Sequence, residues 1–140
     1  MRNVQTTQTT AVWASPHNPT QEQLQSLSNI YTNIVYLKDI NADLFYKICN
    51  SPSNSDGLFT LANDFISFVL DYRHTTNADN LHIVQPAGSP AFQYVLGRLT
   101  SDEYINVVYA HSERESIDEV QPDGSVKKIS VFKHKGWIVF

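Results

Sequence analysis

The sequence predicts a single α/β domain in which a mostly parallel sheet carries flanking helices and ends in a C-terminal β-hairpin. Three observations predict it. Short apolar runs rich in β-formers alternate with stretches of helical spacing, polar turn-forming clusters close each run, and the last quarter changes to strand, turn, strand around Pro122-Asp123-Gly124. With 140 residues and 41% hydrophobic content the chain has material for one core and not for two. We therefore expect one domain over residues 1–140, with a loose polar tail at 1–8 and a hairpin extension at 116–140.

Thr9 to Ala14 reads as the first strand, stopped by Ser15-Pro16-His17-Asn18-Pro19, whose prolines allow neither a ladder nor a helix. Thr20 with Gln23 forms a capping-box pattern, and Leu24, Leu27 and Ile30 supply the stripe of a short helix. Asn33 to Leu37 reads as a buried strand. A helix over Asn41 to Asn50 should bury Leu44, Phe45 and Ile48, and Cys49 within it reads as a small buried hydrophobe. Ser51 to Gly57 is dense in turn residues, and the helical spacing then runs from Leu58 to Tyr72 to give the longest helix.

Leu81 to Val84 is the third strand, closed by Gln85-Pro86-Ala87-Gly88-Ser89-Pro90. Ser89 as N-cap and Pro90 at the first helical position open a further helix with Phe92, Val95, Leu96 and Leu99 on one face. Ile105 to Ala110 is the fourth strand, followed by a polar loop at His111 to Ser116. The hairpin strands are Ser116 to Val120 and Val126 to Phe132, with Asp118 and Glu119 facing Lys127 and Lys128, and Trp137 to Phe140 forms a last short strand. Trp13, Tyr36, Tyr94, Tyr109 and Trp137 fit core or sheet positions. This order is that of a Rossmann-like sheet, whose crossovers set every post-strand loop at one edge.

A net charge of −4, spread along the chain, supplies no basic field for duplex DNA or RNA, while a small anionic ligand needs only a few local donors. The single cysteine excludes an intramolecular disulfide, and no apolar run suggests a secretory leader or a membrane span, so a cytoplasmic location is expected. His17, His74, His82, His111 and His134 show no ligand-like spacing, so neither a metal nor a cofactor is expected.

Three polar post-strand loops should converge at the carboxyl edge, where open α/β sheets bind ligands. In the first, Ser15, His17 and Asn18 are presented rigidly between prolines, and His17 suits proton transfer near neutral pH. In the second, Gly88 lets backbone approach a ligand, and Ser89 opens a helix whose free N–H groups favour an anion, although Ser-Pro is also ordinary capping chemistry. In the third, His111, Ser112, Glu113 and Arg114 offer a second imidazole, a hydroxyl, a carboxylate and a fork for phosphate. Taken singly, each is also an ordinary surface residue.

The stretch Ser15-Pro16-His17-Asn18-Pro19-Thr20-Gln21-Glu22-Gln23 resembles the first strand-to-helix loop of small CRISPR-associated Rossmann-like (CARF-like) proteins of the ring-nuclease type, and Gly88-Ser89 is similar to their phosphate turn. The resemblance covers a minority of the chain. Pro16 separates the serine from the histidine, and the C-terminal hairpin has no counterpart. It implies a homodimer that binds or cleaves a cyclic oligoadenylate in antiviral defence, with Ser15 and His17 near the ligand and the Gly88-Ser89 turn cradling a phosphate; from the loops themselves, Asn18, Ser112 and Glu113 join them as candidate ligand contacts. The leading reading is recognition of such a nucleotide with metal-independent phosphodiester cleavage as an outcome, in which His17 or His111 manages protons while Arg114 and the helix N-terminus stabilise developing charge. Two other readings stand beside it. One is a sponge that sequesters a nucleotide without turnover, and the other is an interaction module in which Lys127, Lys128, Lys133 and Lys135 on the hairpin contact a protein partner.

Overall fold

The computed structural model describes residues 8–140, so most of the expected tail at 1–8 lies outside the described residues. The elements in chain order are β1 (Thr9–Trp13), α1 (Gln21–Ser28), β2 (Asn33–Tyr36), α2 (Leu37–Ile40), α3 (Ala42–Cys49), α4 (Ser55–Thr75), β3 (Asn80–Val84), α5 (Pro90–Asp102), β4 (Asn106–Val120) and β5 (Val126–Val139). They form one five-stranded sheet in the order β2-β1-β3-β4-β5. The first four strands are mutually parallel and β5 runs antiparallel to β4. The expected class is therefore observed: a mostly parallel Rossmann-like sheet with flanking helices and a C-terminal antiparallel hairpin.

Strand alternation sorts the core into two layers. Val12 and Ala14 of the β1 segment, with Leu81 and Ile83 of β3, face the helices α3, α4 and α5, whose Ile48, Phe65 and Phe92 are fully buried. Ala11, Trp13, Val84 and Val108 face the other way, toward Leu27 of α1 and Tyr31. The longest element is α4, as its spacing predicts. Caps fall where local chemistry puts them: Thr20 and Gln23 form the capping box of α1, Asn54 caps α4, and Ser89 caps α5 ahead of Pro90.

Several expectations are corrected. β2 is an edge strand, so it is half-buried, and Leu37 leaves it to begin the single turn α2. In α1 only Leu27 is buried; the helix stops at Ser28, Ile30 is 53% exposed, and Tyr31 fills the space instead. Asn54 caps α4 early enough that the loop after α3 ends there and not at Gly57. Cys49 is exposed, because Leu44 and Ile48 define the buried face of α3 and the next position turns out of it. Tyr94 is 67% exposed and belongs to no core.

The largest correction concerns the C-terminal third. Ile105–Ala110 and the first hairpin strand are one continuous strand, β4, and the second hairpin strand runs unbroken into the short strand at Trp137, giving β5. There is no polar loop at His111 to Ser116. Those residues are ladder positions, with one irregularity between His111 and Ser112 that absorbs an extra residue on β5. β4 pairs with β3 only through His82↔Asn106, Ile83↔Val107 and Val84↔Val108. Beyond that point β4 and β5 continue as a two-stranded ribbon past the carboxyl edge of the sheet. Asp118 pairs with Lys128 and Glu119 with Lys127, the facing expected of the hairpin.

Candidate functional site

The sheet order reverses at β1, which has β2 on one side and β3 on the other. The crevice above β1 and β3 is where an open α/β sheet takes ligands, since the crossover helices leave from opposite faces there. A groove of about 740 Å³ occupies this place. Pro16 after β1, Cys49, Asn50 and Ser51 at the end of α3, and Ala87, Gly88 and Ser89 after β3 line it.

The turn at its base is built by a chain of short-range bonds. Ser51 Oγ donates to the Ile48 carbonyl at 2.7 Å and accepts the Ser89 N–H at 3.2 Å. Ser89 Oγ in turn accepts the Phe92 N–H at 3.1 Å. Gly88 has φ +104, and a Cβ there would lie 2.6 Å from Phe92 Cδ1 and 3.0 Å from Ser51 Oγ. Only glycine fits. Pro90 has no N–H to give, so at this end of α5 the N–H groups of Gly88 and Ala91 are the ones without a protein partner among the described residues. They carry the positive end of the helix dipole.

The other anticipated site residues divide among separate places. Ser15 Oγ accepts the His17 N–H at 3.2 Å, and the His17 carbonyl is held by the Trp13 indole N–H at 2.7 Å, which fixes the backbone of this loop and leaves the His17 ring exposed. Asn18 Oδ1 accepts from Lys38 Nζ at 2.7 Å and belongs to a different hollow with Tyr36 and Asp39. On the ribbon, strand alternation sends His111 and Glu113 to the α5 face of the sheet, where His111 Nε2 lies 3.5 Å from Glu113 Oε1. Ser112 and Arg114 point to the α1 face. Arg114 lies over the ring of Phe132 at 5.0 Å. The four residues that a loop would have gathered are thus on two sides of one ribbon, and none of them lines the groove beside Gly88 and Ser89.

A family model described as "Uncharacterized protein MJ1673 family" matches residues 9–138, from the first strand into the last. The chain belongs to this family. No curated protein and no solved structure matches the chain.

Some residues that shape the site are silent in the sequence. Ser51 supports the Gly88-Ser89 turn from the loop that follows α3, across 38 positions. Gln85, at φ 53, continues the ladder by giving its N–H to the Val108 carbonyl, and its side-chain oxygen accepts the Ala110 N–H, both at 2.7 Å. Ser26 of α1 bonds both His134 and Trp137 of β5 and so fixes the root of the ribbon. Among the described residues no group of His, Cys, Asp or Glu is placed to hold a metal, and no helix is long and apolar enough to cross a membrane. Partial desolvation by its neighbours pushes the thiol of the otherwise exposed Cys49 above its usual value, which favours the protonated form over the thiolate.

Proposed function

We propose that the protein binds a phosphate-bearing small ligand of the nucleotide class in the groove over β1 and β3. The observation that carries this reading is the Gly88 turn. A position where a side chain cannot fit brings two N–H groups without protein partners to the start of a helix, at the switch point of the sheet. The resemblance of the Ser15 to Gln23 loop names cyclic oligoadenylate as the ligand to try first.

The lining of the groove favours capture over turnover. Pro16, Cys49, Asn50, Ser51, Ala87, Gly88 and Ser89 include no imidazole, guanidinium or carboxylate, so the groove itself offers a proton acceptor for neither a ribose hydroxyl nor a leaving group. A sequestering protein is therefore the better reading than a ring nuclease. Cleavage requires His17, His111 or Arg114 to be brought to the ligand from outside the groove.

The test is calorimetric titration with cyclic tetra-adenylate and cyclic hexa-adenylate in EDTA, followed by chromatography of the recovered ligand. The reading expects saturable binding with intact ligand. Linear products would restore the enzyme, and neither heat nor thermal shift with either ring would remove the nucleotide reading altogether.

A further inference from the structure

We infer that the β4–β5 ribbon is a self-association arm that packs face to face on the ribbon of a second copy of this chain. The inference does not depend on a nucleotide ligand. The Ser26, His134 and Trp137 contacts hold the root of the ribbon against α1, and from Glu113 outward β4 pairs with β5 alone. At about 3.3 Å per residue the free part extends roughly 25 Å. A two-stranded ribbon with both faces in water is marginal by itself, so a ladder kept in register to Val120↔Val126 calls for a covering surface.

The pattern on one face says what the cover is. Paired positions on the α5 side read Glu113↔Lys133, Glu115↔Val131, Ile117↔Ile129 and Glu119↔Lys127. At its centre lie Ile117, Ile129 and Val131, with Ile117 43% exposed. Every charge on the β4 side of this stretch is acidic, and every charge on the β5 side is basic. A twofold axis running along the ribbons lays each acidic strand over the basic strand of its mate, Glu119 over Lys127 and Ile117 over Ile129, with the aliphatic side chains between. The surface is complementary to itself, as an isologous interface must be.

Edge-to-edge pairing is disfavoured by the same segregation. A twofold there would set β4 beside β4 or β5 beside β5, like charge against like. The two full faces of the ribbon also balance in charge. Glu113, Glu115, Asp118, Glu119 and Asp123 stand against Arg114, Lys127, Lys128, Lys133 and Lys135, so the ribbon is not a general basic patch for an acidic partner.

The experiment is sedimentation velocity on the full chain and on two charge reversals, Glu113→Lys with Glu119→Lys, and Lys127→Glu with Lys133→Glu, which exchange the charges of the two paired positions Glu113↔Lys133 and Glu119↔Lys127. The wild type should sediment as a dimer, each reversal alone as a monomer, and an equimolar mixture of the two as a heterodimer. Recovery in the mixture cannot come from repair inside either ribbon, since each chain keeps its own repulsive pairs. If a reversal disorders its ribbon, Ile117→Thr serves instead and should weaken the dimer without moving the unfolding midpoint of the body. A monomeric wild type, dimers that survive both reversals, a mixture that stays monomeric, or an Ile117→Thr dimer as tight as wild type would each overturn the proposal.

Discussion

The indole N–H of Trp137 donates to Ser26 Oγ at 2.8 Å, joining the last strand to the first helix across 111 positions of sequence. Ser26 Oγ also lies 3.0 Å from His134 Nε2 and 3.0 Å from the Gln23 carbonyl. A hydroxyl has one proton and two lone pairs, so giving the proton to Gln23 leaves both lone pairs to accept from Trp137 and His134. β4 is laddered to β3, and β5 is tied to α1 and β1 through this oxygen and through the edge-on contact of Trp137 with Trp13, ring centroids 6.3 Å apart.

Replacing Trp137 by Phe keeps an aromatic ring at the contact and removes the donor. The loss should be about 1 kcal/mol, the usual net worth of a neutral hydrogen bond. A fall in the urea midpoint with an unchanged slope is the expected result. Full retention of the midpoint would show that the Ser26 bridge contributes nothing to stability.

His82 makes stability depend on pH. Its Nδ1 is 2.7 Å from the Tyr31 hydroxyl, which burial pushes up to about 12, and its Nε2 is buried without a partner among the described residues. Burial also lowers the imidazole below its free value of 6.5. The folded state thus prefers neutral His82, while the unfolded chain takes up a proton first on acidification. Stability is full above about pH 6.5 and is lost as pH falls from there toward the depressed folded value. The depressed carboxyls of Glu115 and Asp123 act lower, below their ordinary values of 4.5 and 3.8. Urea midpoints measured from about pH 7.5 to 5.5 should fall, and His82→Gln should flatten that stretch. A wild-type midpoint that rises on acidification would contradict the assignment.

What the sequence discloses about this fold is what neighbouring residues decide. Ser89 and Pro90 announce the start of α5 because a cap involves only the next few residues, and Asp118 meets Lys128 because the turn at Pro122-Asp123-Gly124 sets the register. The stretch His111 to Ser116 reads as a loop because its residues are polar on both faces of the ribbon and so lack the apolar alternation by which strands are found. That misreading carried the site with it: in a loop the four side chains can converge, whereas a period of two parts His111 and Glu113 from Ser112 and Arg114. Gly88 and Ser89 are legible as the turn that opens α5, and both line the groove. The roles of Ser51 and Gln85 are not legible, since only the tertiary fold brings them to the turn and the strand end.

Gln85 closes the gap at the end of the β3–β4 ladder, so Gln85→Ala strips the Ala110 N–H of its acceptor. The cost should be about 1–3 kcal/mol if no water replaces the oxygen. Hydrogen exchange at the Ala110 amide should accelerate more than at the Gln85 amide, whose bond to the Val108 carbonyl the substitution retains. Equal protection at Ala110 in variant and wild type would mean that the side-chain bond is dispensable.

Gly88 is the position at which stability and the proposed ligand site meet. A Cβ there would press on Phe92, whose side chain is fully buried, and on the Ile48 carbonyl at 3.2 Å, while φ +104 adds backbone strain. Gly88→Ala should therefore cost about 1–3 kcal/mol and displace the N–H groups offered to a phosphate, lowering ligand affinity beyond what the loss of folded protein explains. Gly97→Ala is the matched control. It lies on an exposed face of the same helix with nothing within 4 Å of the added methyl, and it should stabilise by about 0.5–1 kcal/mol. Thermal unfolding of both variants, with and without cyclic tetra-adenylate, separates the two effects: Gly97→Ala should keep the ligand-induced shift and Gly88→Ala should lose it. If Gly88→Ala unfolds at the wild-type temperature and keeps the shift, the turn is neither tightly packed nor a phosphate cradle.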